Sequence, residues 1–203
     1  KANDDDDSSL WVAGTCDFRD LNHLCLLEYH NDLNELTVRS KHAVDGAVRC
    51  LATTTSSNRL VCATGSSATL YELINGEDDI KHIADFVPEG GFGAGIVDLN
   101  WRFDSLLTID GNGHLAKFDV ETENCLRELD VDHPMSHVHP PKVQWDPHSA
   151  GDAVAVTTNT GVDILDWRAD TSIPVGTVDH IPTKYTIDLD YNPNKPHVLG
   201  TAC

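Results

Sequence analysis

A large apolar residue followed by an acid recurs along this chain at nearly constant spacing: Leu27-Glu28, Tyr71-Glu72, Phe118-Asp119 and Leu165-Asp166, with steps of 44, 47 and 47 residues. A second ladder runs alongside it. The segments 96–101, 142–145 and 187–191 close on Trp101, Trp145 and Tyr191, which are 44 and 46 residues apart, and 47–52 fills the earlier slot without an aromatic. Two ladders in step restrict the fold more than any other feature, because a period of this length marks one supersecondary unit used several times.

The unit itself is legible. Helical periodicity is missing, and short apolar runs alternate with turn signals instead. Asp110-Gly111-Asn112-Gly113 is rich in residues that tolerate positive φ and predicts a tight hairpin turn. In the third unit, strands are expected over 95–101, 105–109, 114–120 and 124–130; in the fourth, over 143–146, 153–157, 162–167 and 173–178. Four short strands per period of this length resemble the blade of a WD40-type β-propeller, in which one small twisted sheet is stable only when packed between neighbours. The expected class is therefore all-β. The expected divisions are an acidic disordered segment over 1–9, a partial blade over 10–42, blades over 47–86, 95–130 and 142–178, and the start of a further blade over 186–203. Both ends read as the second strand of a blade (10–15 and 197–202). About four blades of a longer, seven-bladed ring is the expectation.

Charge narrows the partners. With 33 acids against 14 lysines and arginines the net charge is −19, which lacks the basic footprint of a nucleic-acid binder and favours basic protein partners. No apolar run approaches the ~20 residues of a membrane helix, so no membrane insertion is expected, and the opening KANDDDDSS does not read as a signal peptide. Six cysteines lie at 16, 25, 50, 62, 125 and 203 with no C-x-x-C pair. Cys25, Cys50, Cys62 and Cys125 fall in apolar runs, as small buried hydrophobes would. A reduced, cytoplasmic protein is expected.

Few residues invite chemistry. His133, His137 and His139 suggest zinc ligands, but prolines interrupt the segment and no cysteine is near in sequence, so a polar interblade loop is expected and no metal. The motif of a nucleophile elbow, a zincin pair or a phosphate loop is missing, and the glycine-rich run 90–95 precedes a strand with no helix after it. Neither catalytic residues nor a cofactor are expected. His42 and His180, in the loops ahead of the next blade, and Asp110, in the hairpin turn, are candidates for polar networks that lock blade corners. Asp98, Asp188 and Asp190 are candidate partner-contact acids; Asp188 and Asp190 flank Leu189 and should share one face of a strand.

Asp188-Leu189-Asp190-Tyr191-Asn192-Pro193-Asn194-Lys195 resembles an inner strand and turn of the WD-repeat family that interacts with the EARP and GARP vesicle-tethering complexes. Segment 10–15, the run Leu165-Asp166-Trp167-Arg168 and His42 fit that family in order, although Leu165 stands where it has tryptophan. The resemblance implies a non-enzymatic scaffold in endosomal recycling or endosome-to-Golgi traffic. It would be cytoplasmic and peripheral on endosomal or trans-Golgi membranes, with tethering-complex subunits as partners. A structural subunit of another large assembly (chromatin, ubiquitin-ligase or ciliary) is the alternative. A propeller hydrolase would need acids or histidines converging at a channel mouth.

Overall fold

The computed structural model describes residues 8–17, 19–54, 58–74, 79–131, 139–150, 152–158, 161–169, 174–179 and 186–202. The described residues form strands and turns, arranged in five antiparallel sheets. Strands β1 (Ser8–Gly14), β2 (Asn22–His30) and β3 (Glu35–Val44) make the first sheet. The second holds β4 (Cys50–Thr53), β5 (Arg59–Ala63), β6 (Ala68–Leu73) and β7 (Ile80–Phe86). The third is β8 (Ile96–Arg102), β9 (Ser105–Asp110), β10 (His114–Asp119) and β11 (Cys125–Asp130). The fourth is β12 (Val143–Trp145), β13 (Ala153–Thr157), β14 (Gly161–Asp166) and β15 (Gly176–Asp179), and β16 (Asp188–Tyr191) pairs with β17 (Leu199–Ala202). Strand order within every sheet follows the chain. β1 begins two residues ahead of its expected start, because Ser8 and Ser9 continue the register opposite His30 and Tyr29.

Burial explains why the middle strands read as continuous apolar runs. Side chains alternate between the faces of a strand, and here both faces are covered by another sheet. On β5, Leu60 and Cys62 enter a core shared with Leu24, Val44 and Tyr71, whereas Val61 and Ala63 enter the next core with Phe86, Leu106 and Phe118. On β9, Leu106 belongs to that core, and Leu107 and Ile109 belong to the following one with Trp145, Val154 and Trp167. Ala155 and Val162 meet Leu189 and Tyr191 in the last. Four cores thus alternate with five sheets. Burying both faces takes apolar area out of water on each side and stabilises by about 25 cal/mol per Å², which a solitary four-stranded sheet could not do.

The apolar–acid ladder marks a backbone feature. The pairing of the third strand with the outer strand slips at Leu26/Leu27, at Leu70/Tyr71 and at Lys117/Phe118. In each case the outer strand carries one extra residue: Arg39, Ile83 and Leu126 are the unmatched positions. A bulge bends its strand and increases local twist, and three occur in the same slot of three sheets.

Candidate interaction surface

The inner strands β4, β8, β12 and β16 come from successive sheets and lie side by side. Polar side chains tie the last three together at separations of one repeat. Asn100 donates its amide to Gln144 Oε1, 44 residues on, and Gln144 Nε2 donates to Asp190 Oδ1 at 2.9 Å, 46 residues further. Arg102 donates to the carbonyls of Asp146 and Pro147 (2.9 Å for Pro147), and His148 Nε2 lies 2.9 Å from the carbonyl of Asn192. Equivalent positions in consecutive sheets therefore grip one another. Each such bond adds a net ~0.5–1.5 kcal/mol.

Asp98 belongs to this inner lattice. Expected as an acid offered to partners, it is instead committed within the chain: its side chain is only 15% exposed, Lys142 Nζ is 3.4 Å from Oδ1, and the Val143 N–H donates to Oδ2 at 3.0 Å. Burial pushes its carboxyl above the usual range, and Lys142 and the Val143 N–H pull it back. The pairing of β8 with β9 is irregular between Ile96 and Asp98, next to this carboxylate. Asp188 and Asp190 are exposed, alternating with buried Leu189 and Tyr191. Asp188 Oδ1 accepts from the Leu189 N–H at 3.0 Å, and Asp190 closes the amide ladder. Burial pushes the Tyr191 phenol up to about 12.

The corner candidates separate. Asp110, 1% exposed, accepts from the N–H groups of Asn112 (2.8 Å) and His114 (2.9 Å) through Oδ1 and of Ala94 (3.3 Å) through Oδ2. Backbone donors from its own turn and from the glycine-rich loop fill this corner. His42 lies on β3 rather than in a loop, because β3 runs on to Val44; its ring meets Tyr71 edge-on at 5.4 Å. His180 lies outside the described residues, as do residues 1–7 and the loop histidines His133 and His137.

Among the recurring pairs, Tyr71, Phe118 and Leu165 are buried, and Leu27 is half-buried. Their acids serve local structure. Glu28 lies 3.4 Å from His30 and 3.7 Å from Arg39, Glu72 stands opposite Arg59, and Asp119 accepts the Thr122 N–H at 2.7 Å. Asp166 takes the Arg168 N–H, Nε and Nη2 at 2.8–3.0 Å, which holds its carboxyl down at about 2. Of the four cysteines expected to be buried, Cys62 is, Cys25 and Cys50 are half-buried, and Cys125 is exposed at the start of an outer strand. Among the described residues, no three His, Cys, Asp or Glu side chains are grouped to hold a metal ion, and no helix is long and apolar enough to cross a membrane.

This chain is similar to the C-terminal WD40 domain of Sif2, with a TM-score of 0.64 and 14% identity over 91% of this chain and 49% of that one. The fold is a WD40-type β-propeller. The chain is likewise similar to a chain in the mitotic checkpoint complex, with a TM-score of 0.63 and 15% identity over 93% of this chain and 55% of that one. It spans about half the length of either. No family model and no curated protein matches the sequence.

Sequence reasoning did not single out Asn100, Gln144, Arg102, Lys142 or His148. The signal was available in the period: each pairs with a residue one repeat away.

Proposed function

We propose that this chain is a non-enzymatic scaffold that holds protein partners on the loops and acidic rims of its propeller blades. The inter-blade lattice supports this reading best. Asn100, Gln144 and Asp190 couple three blades through side chains rather than through one continuous sheet, so the connecting loops start from rigid strand ends. Rigidly positioned loops are where a propeller presents binding groups. The net charge of −19 and the exposed Asp188 and Asp190 suit basic partner segments, attracted over a Debye length.

The finer reading is an adaptor for vesicle-tethering complexes on endosomal or trans-Golgi membranes, reached from the cytoplasm. It rests on the family resemblance, whose specific part is the 188–195 stretch. Within that stretch, Leu189 and Tyr191 fill a core and Asn192 Oδ1 caps the Asn194 N–H at 2.9 Å, leaving Asp188 and Asp190 as its exposed acids. The second reading, a built-in subunit of another large assembly, is favoured by the fold's likeness to a chain of the mitotic checkpoint complex.

Affinity purification of the tagged full-length protein at low and high salt tests both. Tethering-complex subunits that are recovered at low salt and lost at high salt support the adaptor. A stoichiometric, salt-resistant assembly without those subunits supports the second reading and removes the first. Recovery of no protein partner at either salt overturns the scaffold.

A further inference from the structure

A cleft of about 220 Å³ opens between the third and fourth sheets, where the β8–β9 turn faces the β12–β13 connection. It is smaller than the ~300–1,000 Å³ of pockets that enclose whole small molecules, and it has room for one or two side chains. Two independent features point to an occupant. Phe103, at the rim, is 75% exposed and has φ of 50°, a left-handed backbone that is rare for a bulky residue. The Trp101 Nε1–H, donated to the Phe103 carbonyl at 2.8 Å, holds it there, and the Arg102 guanidinium lies 5.0 Å from its ring centre. Non-glycine residues held in this region occur in hairpin turns and cluster at ligand clamps.

The second feature is charge. Half-buried Lys117 places its ammonium 5.3 Å from the ring centre of Trp145, itself 3% exposed. Among the described residues no carboxylate lies within ion-pair distance of it, although acids outnumber basic residues by more than two to one in this chain. Of the two acids lining the cleft, Asp152 is 3.8 Å from Arg168 Nε and Asp104 is exposed. Lys117 and Trp145 thus give the cleft one cationic and aromatic wall beside two acids, inside a protein of net negative charge.

We propose that this cleft captures a linear peptide from a protein partner through one acidic side chain set on Lys117 and an adjacent apolar side chain set on Phe103. The residues around that pair in the partner are basic, because the approach is steered by an acidic protein with Asp104 and Asp152 at the cleft. The proposal rests on the scaffold reading and names a site and a partner chemistry for it.

A displayed library of random peptides, selected on the full chain alone, tests it. The expected result is a set of clones with an acid beside an apolar residue in a basic context. Their affinity should fall about tenfold or more in Lys117→Glu and Lys117→Gln, as for loss of one partner of a desolvated charge pair. Phe103→Asn, which tolerates the left-handed backbone, should weaken them severalfold. Lys81→Glu, on β7 in another sheet, should leave them unchanged. Unfolding midpoints of all four variants report whether each is folded. Recovery of no clones, of clones without an acid, or of clones that bind both lysine variants as well as the parent overturns the proposal. Purification of the tagged Lys117→Glu protein with its partners still bound would overturn the cleft while leaving the scaffold standing.

Discussion

At Gly95 two constraints meet: its φ is +74°, and a Cβ there would lie 2.9 Å from the carbonyl oxygen of Gly65 in the neighbouring sheet. A backbone oxygen cannot swing aside as a side chain can. Gly95→Ala should therefore lower stability by about 1–3 kcal/mol, read as an earlier midpoint in urea unfolding. Nothing local distinguishes Gly95 from the other glycines in the run 90–95; its role follows from a neighbour thirty residues away in sequence. Asp166 makes a separate case at the same scale. Its folded pKa, about 2, lies below the unfolded value of about 4. The Arg168 contacts therefore stabilise fully above pH ~4 and are lost as the pH falls through the folded value. The Arg168 side chain is 71% exposed and water screens the pair, so the effect is small. Acid titrations of the parent and Arg168→Ala should differ between pH ~4 and ~2 and converge below. The acid of this pair was evident in the sequence as one rung of a ladder, but its partner was not.

The strands show how a period becomes a core. Phe118 is 1% exposed, packs 5.5 Å from Phe86, and stands at the bulge of its sheet. Phe118→Ala should cost about 3–5 kcal/mol, and the loss should be read in unfolding curves as one of the largest single truncations in the chain. Leu126→Ala, at the unmatched bulge position on the exposed outer strand, should cost far less. Most strand positions were legible from alternation and turn residues, with ends displaced by one to three residues. The bulges were not, because a bulge leaves the composition of its strand unchanged and shows only in how two strands pair. His42 was misplaced for a related reason: β3 runs ten residues and carries it past the expected loop start.

For the whole molecule, the inter-sheet lattice sets how blades move relative to one another. Asp98 and Lys142 should be coupled across two sheets, so Asp98→Asn and Lys142→Met should each destabilise, and the double variant should lose less than their sum. A double-mutant cycle should return about 0.5–3 kcal/mol; a value near zero would mean that this ion pair adds nothing between the two sheets. Gln144→Ala removes the link between Asn100 and Asp190. It should accelerate amide exchange in β8 and β16 together, although neither strand is mutated.

The sequence by itself determined the repeat and the four-strand unit, because period and hydropathy are carried by neighbouring residues along the chain. Only the tertiary structure decided that Asp98 turns inward, that Asn100, Gln144 and Asp190 form one ladder, and that Arg102, Phe103, Lys117 and Trp145 surround a single cleft. Hydrogen bonds and ion pairs act over a few ångströms. Residues one repeat apart come within that range only after the sheets have stacked.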